Sequence, residues 1–283
     1  MRHVLITGTS TGIGYHLTET LLEKGFTVWA GLRSPQAMNP LKEKYPQKLH
    51  VLQLDVTSSQ DIDQAFRRIS SDPSIEEFSL INNAGVAIGG PVEALSMNEW
   101  HKLFNVNVFG LIEMTQKFLP LLRKTRGCVV NIGSISGRVA APFLGPYCAS
   151  KFAVRAVTDS LRREMMTLGV RVALIEPGPI DTPIWDKSLQ KSQQVGQALS
   201  PEMRQIYGES LQALESGVEA TAATAVPASH VAKNVLKALN SKNPKAYYLV
   251  GKSIRLTAFM VKYLPTGLLD RLIVKGFRGQ SHN

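Results

Sequence analysis

The tightest constraint on the fold is a rhythm. Short apolar runs without polar alternation, at 4–7, 26–32, 49–54, 78–81, 128–132, 170–175 and 247–250, are separated by stretches of helical periodicity near 13–24, 58–70, 98–123, 147–168 and 228–240. Runs rich in Val, Ile and Leu that never alternate with polar residues are strands covered on both faces. Strands of that kind, alternating with helices, predict an α/β chain. Its core is a doubly wound parallel sheet of about seven strands with helices on both sides. The length fits one such domain over residues 1–283.

The first strand runs into Thr7-Gly8-Thr9-Ser10-Thr11-Gly12-Ile13-Gly14, and a helix follows. Gly8 permits a tight turn, Gly12 lets backbone approach a pyrophosphate, and Gly14 lets the helix pack closely on the sheet. The N–H groups at the helix start then face the phosphates. Strand, glycine turn and helix in that order form a dinucleotide site of Rossmann type. Phosphate contacts are expected from Gly8, Ser10, Thr11, Gly12, Ile13 and Gly14. The second strand ends Trp29-Ala30-Gly31-Leu32-Arg33, with no acid to hold a ribose 2′-hydroxyl. Arg33 would suit a 2′-phosphate, so NADP(H) is expected ahead of NAD(H).

Tyr147-Cys148-Ala149-Ser150-Lys151 opens a helical segment, and its Tyr and Lys share one face. A phenol with a pKa near 10 is a poor base at neutral pH, and a neighbouring cation would lower it. Ser134 stands at the end of the preceding strand. Its hydroxyl can hold a substrate oxygen, with Ser136 as the alternative.

These motifs resemble the short-chain dehydrogenase/reductase family, over nearly the whole chain to about residue 185. The resemblance rests on the glycine turn at 7–14, Asn82-Asn83-Ala84-Gly85, Asn107 in Asn-Val-Phe-Gly, Ser134, Tyr147-x-x-x-Lys151, and Pro177-Gly178 followed by Thr182. It implies hydride transfer between NADP(H) and a carbonyl or alcohol. Tyr147 would be the acid/base, Lys151 its partner and a ribose ligand, Ser134 the orienting hydroxyl, and Asn107 the holder of a relay water. Asp55 and Val56 would contact adenine, and Asn83, Ala84 and Gly85 would line the adenosine side. Pro177, Gly178, Ile180 and Thr182 would border the nicotinamide end, the last two at its carboxamide. Read without the resemblance, Asn107 and Asp55 are equally cap residues, and Thr182 a turn residue. Thr11 departs from the basic residue that many NADP-preferring members carry there. Pairing through the helices near 98–123 and 147–168 is also implied, giving a homo-dimer or homo-tetramer.

The wording around Tyr147, with Leu32-Arg33, is most similar to hydroxysteroid and retinol dehydrogenases. That branch implies a lipophilic steroid-, retinoid- or ketone-like substrate. Ile88, Val139, Pro142, Phe143, Ile184 and Trp185 are candidate pocket residues. Residues 183–226, rich in Gln, Ser, Ala and Glu, interrupt the strand rhythm and are expected to form a substrate lid.

Charge is localised. Residues 231–283 carry ten Lys/Arg against one acid, Asp270, whereas residues 1–230 carry 22 basic and 21 acidic side chains. The segment 253–283 mixes those cations with Ile254, Leu256, Phe259, Leu268, Leu272 and other apolar residues. It either lies in a membrane interface as a peripheral contact or docks its apolar face on the protein. No nucleic-acid motif accompanies the charge. The two cysteines, Cys128 and Cys148, are too few for a disulfide framework and suggest no metal site. No apolar run approaches the 18 residues of a membrane span. A cytoplasmic location is expected.

Overall fold

A computed structural model describes residues 1–278. In chain order the strands are β1 (Arg2–Thr7), β2 (Thr27–Leu32), β3 (Leu49–Gln53), β4 (Glu77–Asn82), β5 (Cys128–Ile132), β6 (Arg171–Pro177), β7 (Ile180–Asp181), β8 (Val226–Pro227) and β9 (Tyr247–Val250). Seven of them form one sheet in the order β3-β2-β1-β4-β5-β6-β9, and every pairing is parallel. β7 and β8 pair apart from it, also in parallel. The doubly wound parallel sheet expected from the apolar rhythm is therefore present.

The helices are α1 (Gly12–Glu23), α2 (Asn39–Lys44), α3 (Ser59–Ser70), α4 (Met97–Phe104), α5 (Gly110–Thr125), α6 (Gly145–Met165), α7 (Ile184–Ala198), α8 (Pro201–Ala223), α9 (Ser229–Asn240), α10 (Ile254–Tyr263) and α11 (Thr266–Arg278). Val4, Ile6, Val28 and Ala30 pack on one side of the sheet with Leu17, Leu21 and Val235 of α1 and α9. Leu5 and Trp29 pack on the other side with Ile62, Met114 and Phe118 of α3 and α5. Successive strand residues enter opposite clusters, and both are dry, which is why these strands lack polar alternation.

One expectation changes, and one segment gains detail. The helix predicted over 98–123 is two helices joined by a π-helical turn, Asn105–Phe109. Just past this turn Gly110 packs tightly, and a Cβ there would lie 2.6 Å from the Val56 carbonyl oxygen. The turn widens to bring Asn107 inward. The basic tail predicted over 253–283 forms α10 and α11, and residues 279–283 lie outside the described residues. No helix among the described residues is long and apolar enough to cross a membrane.

The strand order reverses between β1, which leads to β2 and β3, and β4, which leads the other way. Crossovers on either side of such a point leave a crevice at the carboxyl ends of the strands.

Candidate active site

That crevice is a cleft of about 520 Å³. The glycine turn frames one end. Gly8 (φ +70°) and Gly12 (φ +59°) take left-handed backbone that other residues rarely adopt. A Cβ on Gly8 would lie 2.7 Å from the Ala84 Cα, and one on Gly14 would lie 2.2 Å from the Gly8 carbonyl oxygen. Asn83 fastens the turn, its Nδ2 donating to the carbonyls of Thr7 and Gly8 at 2.9 Å each. Thr7 Oγ1 accepts in return from the N–H groups of Asn83 and Ala84, at 3.0 Å each. Asn83, Ala84 and Gly85 line the cleft as expected, but the Asn83 amide is committed to the turn.

Helix α1 begins after Thr11, whose side chain makes no capping bond, and its first turn holds no acid. Ser10, Thr11, Gly12, Ile13 and Gly14 border the cleft there. Uncapped N–H groups with the helix dipole behind them favour an anion. Arg33 follows β2 at the same rim, exposed, with no ion pair among the described residues. A diphosphate with a further phosphate near Arg33 fits these residues.

Asp55 and Val56 also line the cleft. The Asp55 carboxylate, however, accepts from the Thr57 N–H at 2.9 Å and the Thr57 hydroxyl at 2.8 Å. The cap reading that the sequence left open describes what this side chain does.

The other end of the cleft gathers the polar set around Tyr147. Ser134 starts a 3₁₀ turn, Ile135–Gly137, and its Oγ accepts from the Ser136 N–H at 3.1 Å. Ser134 and Tyr147 both line this end of the cleft, and the Ser134 hydroxyl acts to lower the phenol. Ser136 is instead the neighbour of the buried Cys148 thiol, so the two serines separate by neighbour. Tyr147 sits on the first turn of α6, half-buried, against Ile88, Leu95 and Leu103. One helical turn on, Lys151 is buried. Its Nζ donates to the Ile132 carbonyl at 3.0 Å and lies 5.8 Å from the Tyr147 ring centroid.

Burial governs the charges of this pair. It pushes the Lys151 ammonium down to about 8. It also pushes the Tyr147 phenol up, against the opposing hydrogen bond from Ser134. The sequence led us to expect a phenol lowered by Lys151. Desolvation of the phenol dominates instead, and the Lys151 Nζ donates to the Ile132 carbonyl.

Asn107 lies inside the π turn and is buried. Its Nδ2 donates to the Val86 carbonyl at 2.9 Å and the Ser150 hydroxyl at 3.0 Å, and its Oδ1 accepts from the Val86 N–H at 2.8 Å. The side chain thus ties the loop after β4 to α6.

Pro177, Gly178, Ile180 and Thr182 border the cleft beyond β6. The Ile180 carbonyl accepts from Thr182 Oγ1 at 3.3 Å and from the Trp185 indole N–H at 2.7 Å. Thr182 faces the glycine turn, 3.1 Å from where a Gly12 Cβ would stand.

Of the candidate pocket residues, Pro142, Ile184 and Trp185 line the cleft, and Ile88, Val139 and Phe143 do not. Ile88 packs behind Tyr147. Val139 continues the turn after Ser134, its N–H bonded to the Ile135 carbonyl at 3.2 Å. Phe143, at φ +62°, turns edge-on to Tyr207 with ring centroids 6.2 Å apart. Sequence reasoning missed the wall that replaces them: Leu144, Leu214, Val218 and Thr221, with Ser188 of α7. The spacing of Leu211, Leu214 and Val218 along α8 is the helical stripe that signals it.

A cleft with an anion-receptive turn at one end and a Ser–Tyr–Lys group at the other describes a nucleotide-dependent oxidoreductase. Comparison with known proteins makes this specific. The family model described as short chain dehydrogenase matches residues 2–193, so the chain belongs to the short-chain dehydrogenase/reductase family. It is 36% identical to an NADPH-dependent 3-dehydrocapnine reductase of Ornithobacterium rhinotracheale, over 98% of each chain. It is 34% identical to human retinol dehydrogenase 5, over 95% of this chain and 87% of that one. Among solved structures, a short chain dehydrogenase from Burkholderia cenocepacia in complex with NADP is similar at a TM-score of 0.73. Identity is 26%, with 95% of this chain and 96% of that one covered.

Proposed function

We propose that this protein is an NADP(H)-dependent oxidoreductase that interconverts a lipophilic carbonyl compound and its alcohol. The observation that carries the reading is the convergence of Ser134, Tyr147 and Lys151 at one end of a cleft whose other end suits a dinucleotide. Arg33, without an acidic partner among the described residues, supports NADP(H) over NAD(H). The NADPH dependence of the Ornithobacterium reductase and the NADP held in the Burkholderia structure support the same cofactor.

The bound nicotinamide supplies or accepts the hydride. The remaining chemistry belongs to the chain. Ser134, which accepts from the Ser136 N–H with one lone pair, has an O–H that would turn to the substrate oxygen once that oxygen is bound. In the reductive direction Tyr147 gives its proton to that oxygen as negative charge develops, which suits a phenol held protonated by burial. Lys151 then stands near the phenolate and disfavours its reprotonation by the product. Asn107 keeps α6 in register with the loop after β4.

The wall of Leu144, Ile184, Trp185, Leu214 and Val218 supports a lipophilic substrate of the steroid, retinoid or aliphatic ketone kind. Residues 183–226, which supply much of it through α7 and α8, act as the substrate lid of a single domain. Exposed Phe109 and Phe152, beside α5 and on α6, support pairing into a homo-dimer or homo-tetramer through those helices. The buried free thiols Cys128 and Cys148 are consistent with a reducing, cytosol-facing compartment.

The test is a kinetic panel of steroids, retinoids, aliphatic ketones and quinones with each cofactor. We expect kcat/KM for NADPH to exceed that for NADH by at least about tenfold on an apolar ketone. A preference for NADH, or no turnover of any apolar carbonyl, would overturn the reading.

A further inference from the structure

We propose that the outer face of α10 and α11 docks on a phospholipid surface rich in anionic headgroups. On α10, Leu256, Phe259 and Tyr263 are 61%, 59% and 59% exposed and recur at three- and four-residue spacing, forming one stripe. On α11, Leu268 and Leu272 add two exposed apolar side chains one turn apart. Single exposed apolar residues are ordinary, but these five within seventeen residues are a patch.

The inner sides of both helices are already engaged. Ile254 is buried against Gly178 and Gly251, so close that a Cβ on Gly178 would lie 2.2 Å from its Cδ1. Helix α11 packs on α8. Docking on the protein therefore does not consume the outer stripe.

Charge selects the occupant. Lys252, Arg255, Lys262, Arg271 and Lys275 are exposed around the stripe, and none forms an ion pair among the described residues. Asp270 is the single acid. Aromatic and leucine side chains ringed by unpaired cations match the boundary between acyl chains and anionic headgroups. A second copy of the same cationic face would be repelled.

The position gives the contact a use. Ile254 rests on the turn that borders the cleft, and α11 rests on the helix that carries Leu214 and Val218. The docking face is thus one helix layer from the apolar wall. A bilayer there would deliver the lipophilic substrate, a role that rests on the proposed function, whereas the docking does not.

The test is co-sedimentation of the full chain with vesicles of phosphatidylcholine alone and of phosphatidylcholine mixed with phosphatidylglycerol. Pelleting is expected with the mixed vesicles and should fade as salt rises. Arg255→Glu/Arg271→Glu should weaken it at least about tenfold, and so should Phe259→Ser/Leu272→Ser. All four positions are exposed, so melting temperatures should stay near the parent value. Three results would overturn the proposal: a chain that stays in the supernatant with anionic vesicles, variants that pellet like the parent, or Phe259-dependent self-association without vesicle binding. Failure to turn over apolar ketones would sink the substrate reading and leave vesicle binding intact.

Discussion

A lysine buried beside a single carbonyl is costly to keep charged, and Lys151 is such a residue. Its amine is pushed down to about 8, so at neutral pH the folded protein holds a proton that burial disfavours. The unfolded chain binds that proton more strongly, so stability rises with pH between about 8 and the ordinary lysine value of 10.5. Lys151→Met should therefore raise thermal stability at pH 7, by an amount on the order of 1–3 kcal/mol, while reductase activity collapses. Tyr147→Phe should lose activity comparably, with NADPH affinity near normal. Paired melting and turnover measurements check both, and a Lys151→Met protein that is less stable at pH 7 would contradict the burial argument. The residue types at these positions were readable from spacing, because acid–base chemistry needs them one helical turn apart. The tasks of Asn83 and Asp55 were not. Asn83 fastens Thr7 and Gly8 across the sheet, and Asp55 caps a local turn. Nothing in residue type distinguishes those tasks from cofactor contact.

Elements around the cleft are joined by a buried carboxylate. Glu176 of β6 is fully buried and accepts from Arg138 at 2.9 and 2.5 Å, and from Arg155 at 3.4 Å. Arg138 ends the turn that Ser134 begins, and Arg155 lies one turn beyond Lys151. The Tyr247 ring of β9 sits beneath both guanidinium groups, at 5.0 and 4.7 Å. One side chain thus couples β6, the Ser134 turn and α6. Glu176→Gln should destabilise the fold by about 3 kcal/mol by leaving two partly buried guanidinium charges without their carboxylate. The double variant Arg138→Met/Glu176→Leu should lose less than the sum of its single changes, as urea unfolding would reveal. Additive losses would mean the pair is not coupled. Helices and strands themselves were legible from periodicity. The π-helical turn within 98–123 was not, because apolar periodicity carries no mark of one widened turn, and the Val56–Gly110 approach beside it joins distant parts of the chain.

At the scale of the molecule, the sheet end opposite the cleft carries a pH-sensitive cluster. The Trp29 indole N–H donates to His3 Nδ1 at 3.2 Å, and Trp29 stacks on His50 with centroids 4.2 Å apart. A ring nitrogen that accepts must be unprotonated. Burial lowers both histidines, with Asp72 opposing and the N-terminal amine adding to the effect at His3. Their folded pKa values lie below 6.5, so the stability they contribute is complete above that pH and is lost as pH falls through the folded values. The melting temperature should fall between pH 7.5 and 5.5, and His3→Gln/His50→Gln should flatten the slope. An unchanged slope would place the sensitivity elsewhere. Asp72, whose pKa is lowered chiefly by its bond from Ser74, titrates below that window. The doubly wound fold was legible because both faces of each strand are apolar. The cleft's outer wall was not, because α8 reads as an ordinary amphipathic helix until its packing is known.

The strand order has a further consequence, for how the chain is delivered by the ribosome. Beginning from β1, each later strand of the main sheet joins at an edge that is free when it emerges: β2 and β3 on one side, then β4, β5, β6 and β9 on the other. No strand has to insert between two that are already paired. The half that fastens the glycine turn is complete once Ala84 is made, long before Tyr147 is translated. Synthesis from the N-terminus can therefore lay down a seat for phosphate before the tyrosine exists, and from β4 onward each new strand covers the edge that its predecessor left open.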